Sequence, residues 1–233
     1  MSEKQDLILV PGLLCSDMLF SEQMSGLRDV ANIRIGRVIK HDSLAGMAAA
    51  ILRTAPPEFA LAGLSLGGYV AFEIMRQAPE RISRLALLNT NARADRLEQI
   101  KFRQMLIAMA NTMGPRSVQA AALPMLIHPS RLTDRPLVDR ILNMADAIGR
   151  AAFVRQQQAI IDRHDNRSFL TAIACPTVII VGEQDIMTPV KVAREMQDGI
   201  GESILEVIPA CGHLSTMERP HEVNAILRQW LAS

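Results

Sequence analysis

One hydroxyl, Ser65, interrupts the apolar run LAGLSLGGYVA from Leu61 to Ala71, and Gly63, Gly67 and Gly68 flank it. A serine that only packs or caps a helix needs no glycine two residues to either side. Glycines there mean that another stretch of backbone comes too close for a Cβ. Gly63-Leu64-Ser65-Leu66-Gly67 fits G-x-S-x-G, in which a strand turns sharply into a helix and holds the serine hydroxyl out for nucleophilic attack. That hydroxyl is a weak nucleophile until a base takes its proton, and an imidazole base needs a carboxylate to fix its tautomer. His213, in IPACGHLSTMERP after the apolar run ILEVI, and Asp185, in VGEQDIMTP after TVIIVG, are placed to supply them. The order Ser65, Asp185, His213 is the one an open α/β sheet imposes on such a constellation.

Each residue also has an ordinary reading. Serine is favoured at helix N-caps, but a cap needs no glycine at both flanks. Asp185 could cap the helix after Pro189, and Glu183 competes with it as the acid; Asp185 is preferred because Glu183 lies closer to the strand end. His41, His128, His164 and His221 compete with His213, which alone sits in a glycine-containing loop directly after a strand. His128, in LIHPS, and Asn89, at the end of LALLN, are candidates for touching substrate, since ligands bind open sheets at strand ends. An exposed loop and turn capping account for them equally well. Cys211 has no second base of its own and reads as a small buried side chain.

The elements that must position these residues are legible as alternation. The strands are DLILV, NIRI, FALAG, LALLN, TVIIVG and ILEVI, and between them run SLAGMAAAILRTA, LGGYVAFEIMRQAP, PVKVAREMQDGI and HEVNAILRQW with apolar residues at helical spacing. Such alternation predicts a mostly parallel sheet of six strands with helices on both faces. From Asn91 to Ala172 the strands stop and three helical segments follow. The predicted organisation is therefore a core of residues 1–90 and 173–233, with an inserted helical lid at 91–172. Pro115 and Pro136 fit first-turn positions, and Pro124 should kink or end its helix. Met105, Met109, Met113, Met125 and Met144 are suited either to an adaptable apolar pocket or to the insertion's own core.

Composition excludes several classes. The 233 residues carry 25 Lys+Arg against 24 Asp+Glu, a formal charge of +1, with no basic run to attract nucleic acid or an anionic membrane. Glu3 and Asp6 precede the first apolar segment and Pro11-Gly12 breaks it, so it does not read as a signal peptide. No window is long enough to span a membrane. Cys15, Cys175 and Cys211 show neither C-x-x-C nor a Cys/His metal spacing, which suits reduced thiols in the cytoplasm.

On these residues the chain resembles the α/β-hydrolases of the lid-bearing esterase and lactonase group over essentially its whole length. GEQDIMTP and CGHLSTMERP resemble the acid and histidine loops of 3-oxoadipate enol-lactonases and related carboxylesterases. The resemblance implies an acyl-serine route on a small ester or lactone, with no metal or organic cofactor. It also implies an oxyanion hole made by the backbone N–H groups of Leu66 and of Leu13, in VPGLLCSDM. Many relatives carry His-Gly where this loop has Pro11-Gly12. Members usually begin with an antiparallel hairpin; here the oxyanion strand starts at Asp6, so six strands are expected rather than eight. The same scaffold also carries C–C bond hydrolases, acyltransferases and catalytically silent receptors. An intact triad argues against the receptor.

Overall fold

The computed structural model describes residues 4–233. In chain order the strands are β1 (Gln5–Val10), β2 (Ala31–Ile35), β3 (Phe59–Leu64), β4 (Ile82–Leu88), β5 (Thr177–Gly182) and β6 (Ser203–Ile208). The helices are α1 (Ser21–Gly26), α2 (Leu44–Leu52), α3 (Leu66–Gln77), α4 (Leu97–Met113), α5 (Pro115–Leu126), α6 (Arg135–Ile161), α7 (Val190–Gly199), α8 (Ser215–Glu218) and α9 (Pro220–Ala232). The strands form one six-stranded sheet in the order β2-β1-β3-β4-β5-β6, every pair parallel.

A parallel sheet with helices on both faces must bury both sides of its central strands, and successive side chains must divide between two cores. Ile8, Val10, Leu61, Ile179 and Val181 point into one core, with Met47 of α2, Val70 and Ile74 of α3 and Met196 of α7. Leu7, Leu9, Ala62, Leu64, Val178 and Ile180 point into the other, with Val223, Leu227 and Trp230 of α9. The edge strand β6 is exposed at Ile204 and Val207, as a strand with a single neighbour can be.

Between β4 and β5 the chain is helical, as the sequence pattern predicts: α4, α5 and α6 pack on one another and carry a small core of their own around Val118, Ala145 and Phe153. Pro115 opens α5, and Pro136 lies in the first turn of α6. α5 runs through Pro124 and stops at Leu126. α6 is kinked at Gly149, where φ is 75°. The methionines divide: Met105, Met109 and Met125 line a cavity, Met105 partly open to solvent, Met144 is fully buried in the core and Met113 is exposed away from the cavity.

The parallel register aligns the strands' carboxyl ends. Val10 stands opposite Gly63, Leu64 opposite Leu88, and Leu88 opposite Ile180. Loops leaving β1, β3, β4, β5 and β6 therefore meet along one edge of the sheet.

Candidate active site

Ser65 follows β3 and precedes the first residue of α3, with φ 57° and ψ −113°. A non-glycine residue at positive φ is strained, at a cost on the order of 1–3 kcal/mol that neighbouring structure must offset. Here the turn is held by Ser65 N–H donating to Leu88 O at 3.0 Å and by the Thr90 hydroxyl donating to Ser65 O at 2.9 Å. The flanking glycines are explained by distance. A Cβ on Gly63 would lie 2.2 Å from Gly67 O, and one on Gly67 would lie 1.9 Å from Val10 O. Although Ser65 occupies the N-cap position of α3, its side chain makes no capping bond. The hydroxyl is not used by the helix.

Asp185 and His213, from the loops after β5 and β6, meet beneath the surface, the aspartate side chain fully buried and the histidine nearly so. His213 Nδ1 lies 2.8 Å from Asp185 Oδ2. An ionised carboxylate only accepts, so the ring nitrogen it faces carries a proton, and in the neutral imidazole that leaves the lone pair on Nε2. The carboxylate is fully engaged: Oδ1 accepts from Met187 N–H and Thr188 N–H, each at 2.9 Å, and Oδ2 from the Thr188 hydroxyl at 2.6 Å and Asn89 Nδ2 at 2.9 Å. Burial alone pushes Asp185 upward, but the charge and hydrogen bond of His213, with the bonds from Thr188, outweigh it and hold the carboxyl below the ordinary aspartate range. The aspartate is thus kept ionised.

Ser65 and His213 line the same cavity, of about 550 Å³, together with Gly12, Leu13 and Leu14 and residues of α4, α5 and α6. Among the described residues no hydrogen bond joins Ser65 to His213; both are presented to the cavity. Leu13 N–H has no hydrogen-bond partner among the described residues, and Leu66 N–H, first in its helix, has no acceptor within that helix. The Leu13 loop is pinned by Leu14, at φ 57°, whose N–H donates to buried Gln156 Oε1 at 3.2 Å. The histidine loop is tied to the insertion: His213 N–H donates to Leu126 O at 3.0 Å, while Glu218 accepts from His128 N–H at 2.7 Å and Gly212 N–H at 3.0 Å.

Two sequence-predicted substrate contacts lie elsewhere. Asn89, at φ 45°, is buried behind Asp185: its amide donates to the carboxylate, and its oxygen accepts from the Ser215 hydroxyl at 2.5 Å. His128 caps the turn at Pro129–Arg131 through Nδ1 and is not among the residues lining the cavity. Glu183 is exposed, bonded by Gln184. Thr188 escapes sequence reasoning altogether; its only signal is its place three residues after an aspartate, where a local Asx-type turn forms. Among the described residues no group of three or more His, Cys, Asp or Glu is arranged to hold a metal ion, and no helix is long and apolar enough to cross a membrane.

A six-stranded parallel sheet, a strained strand-to-helix serine and a buried histidine–aspartate pair on one sheet edge define a class. The chain belongs to the alpha/beta hydrolase fold family, whose pattern it matches over residues 39–220. It is similar to the pimeloyl-[acyl-carrier protein] methyl ester esterase of Nitrosomonas europaea, at 28% identity over 188 residues, covering 78% of this chain and 74% of that one. It is also similar to 3-oxoadipate enol-lactonase 2 of Acinetobacter baylyi, at 26% identity over 178 residues, covering 75% of this chain and 65% of that one. Among solved structures, a thermophilic esterase from Thermogutta terrifontis superposes with a TM-score of 0.89 at 26% identity, covering 98% of this chain and 89% of that one.

Proposed function

We propose that the chain is a serine hydrolase that cleaves a small carboxylic ester or lactone through an acyl-serine intermediate. The observation that carries the reading is an uncommitted Ser65 hydroxyl on a strained turn, in one cavity with a histidine whose far nitrogen is tied to a buried carboxylate. In this reading Ser65 Oγ attacks the carbonyl carbon while His213 Nε2 takes its proton. The carbonyl oxygen, now negative, is held by the N–H groups of Leu13 and Leu66. His213 then gives the proton to the leaving alkoxide, which departs as the alcohol and leaves the acyl group on Ser65. Water attacks that ester with His213 as base again, and the carboxylic acid leaves as the Ser65 hydroxyl is restored. Asp185 keeps the imidazole in the productive tautomer and stabilises it when charged.

Helices α4 to α6, residues 91–172, serve as a lid on a core of residues 1–90 and 173–233; the cavity residues they contribute support this. Three free thiols, two of them buried, fit the reducing cytoplasm. The test is hydrolysis of a panel of 4-nitrophenyl esters and simple lactones by the wild-type protein and by Ser65→Ala. The reading expects turnover that falls by about 10⁴ or more in the variant. Equal turnover by the two proteins, or none by the wild type on any ester or lactone, would end it.

A further inference from the structure

The cavity wall carries an electrostatic imbalance that ester cleavage does not use. Its lining is mostly apolar, and among the described residues it includes two guanidiniums, Arg103 of α4 and Arg163 just after α6, but no carboxylate. Behind them sits one acid, Asp95, its side chain fully buried: Arg163 Nη1 lies 2.8 Å from Oδ1, and Arg103 Nε pairs with Oδ2. Two cations against one anion leave one positive charge on a largely desolvated wall. Such a charge is costly unless an anion accompanies it.

The neighbouring groups add unpartnered donors, while among the described residues the one unpartnered acceptor beside them, Asp95 Oδ1, is offset by the Arg163 guanidinium 2.8 Å away. Gln157, fully buried on α6, accepts from Arg103 Nη1 at 3.0 Å through Oε1, while its Nε2 has no partner among the described residues. Tyr69 hydroxyl accepts from Asn91 at 3.2 Å, and its own proton has no acceptor among the described residues. Nη2 of each arginine is likewise without a protein acceptor among the described residues; Arg163 spends Nε on Arg93 O and Nη1 on Ile160 O. The groups are contiguous, since the Arg163 guanidinium stacks 4.4 Å above the Tyr69 ring. Tyr69 lies one helical turn from Ser65, and both line the cavity.

We propose that the cavity takes esters carrying a second, ionised carboxylate, which Arg103 and Arg163 bind while Gln157 Nε2 and the Tyr69 hydroxyl donate to it. The inference rests on Ser65 as the nucleophile and names the substrate class of that site. Arg103 is the residue to test, because its loss leaves Asp95 still paired with Arg163.

The experiment compares 4-nitrophenyl hemiesters of linear dicarboxylic acids, from succinate to azelate, with 4-nitrophenyl esters of monocarboxylic acids of matched length. For at least one length the hemiester should show the higher kcat/KM, and Arg103→Gln should lower that preference by about tenfold to a hundredfold, the range for a charge-assisted hydrogen bond. Arg103→Lys, which keeps the charge, should retain part of it. A hemiester no better than its neutral counterpart at every length, or a preference unmoved in Arg103→Gln, would overturn the inference while leaving ester cleavage intact. A second arm needs no turnover. By calorimetry, for at least one linear diacid from succinate to azelate the Ser65→Ala protein should bind the monomethyl ester at least tenfold more tightly than the dimethyl ester, and adding Arg103→Gln should erase the difference. Should no ester be cleaved, the nucleophile assignment fails and this arm still decides the anion site. Equal binding of the two methyl esters at every length would overturn it.

Discussion

Replacing Asp185 by asparagine should separate the chemistry from the fold. Oδ1 accepts two backbone N–H groups and Oδ2 faces three donors, His213 Nδ1, the Thr188 hydroxyl and Asn89 Nδ2. An asparagine that keeps its oxygen on the backbone donors must turn its NH₂ toward the other three. That amide donates to His213 Nδ1, moves the ring proton to Nε2 and removes the base from the nitrogen that should face Ser65. If the effect matches that of the same substitution in a Ser-His-Asp protease, kcat falls by about 10⁴. Stability also suffers, because buried Asn89 Nδ2 now meets another donor. One such conflict costs about 1–3 kcal/mol, and at roughly 2–4 °C per kcal/mol for a protein of this size Tm should drop by roughly 2–12 °C. The assay is kcat on an activated ester, with circular dichroism and a melting curve for each variant. Glu183→Gln is the control: it is exposed, and its loss should shift stability by no more than about 0.5 kcal/mol. A folded Asp185→Asn protein with wild-type kcat, or the larger kcat loss in Glu183→Gln, would refute the assignment.

Acid should close the stability gap between wild type and Asp185→Asn. The folded-state pKa of Asp185 is lowered, so its contribution is present above the ordinary aspartate value of about 3.9 and is lost as pH falls through the lower folded value; urea melts from neutral pH downward check this, and a gap that widens toward acid would contradict it. Gly67→Ala should fold poorly, since its Cβ would lie 1.9 Å from Val10 O, whereas Gly201→Ala, with nothing within 4 Å, should melt within a few degrees of wild type; a normal melting curve for Gly67→Ala would show that the turn is looser than described. Burial pushes the Cys15 thiol up to about 12, and burial followed by the charge of Glu218 also pushes Cys211 up. Both thiols should therefore resist Ellman's reagent in the native protein at pH 8 and react after denaturation in guanidinium, and fast native labelling of either would count against their burial.

What the sequence revealed followed the range of its signals. The Ser65 turn is encoded within five residues, and each glycine it needs is visible because only a missing Cβ fits the gap. The central strands were legible because burial on both faces makes them continuous apolar runs, whereas the edge strands β2 and β6 mix polar and apolar residues; β4 nevertheless begins at Ile82, earlier than LALLN suggests, and ends before Asn89, which turns to positive φ. The pairing of His213 with Asp185 rather than Glu183 followed from loop position. Less was legible where function depends on which way a side chain points. Asn89 sits at a strand end, where a ligand contact was expected, but its amide turns inward to Asp185. Met105, Met109 and Met113 recur every fourth residue along α4, yet the first two line the cavity and the third does not, because spacing does not say which neighbour covers a helix face. Arg103, Arg163 and Asp95 become a cluster only through tertiary packing, and Thr188 matters only because its loop folds back on Asp185.

If Ser65 becomes covalently attached to substrate, an ester whose adduct water cannot clear should trap it there. Treatment with diethyl 4-nitrophenyl phosphate, followed by intact-protein and peptide mass spectrometry, should place one diethylphosphoryl group on the peptide that holds Gly63 to Gly68. Esterase activity should fall in proportion to labelling, and Ser65→Ala should remain unlabelled. Inactivation with the adduct on another residue, or full esterase activity in a protein labelled at Ser65, would rule out Ser65 as the nucleophile.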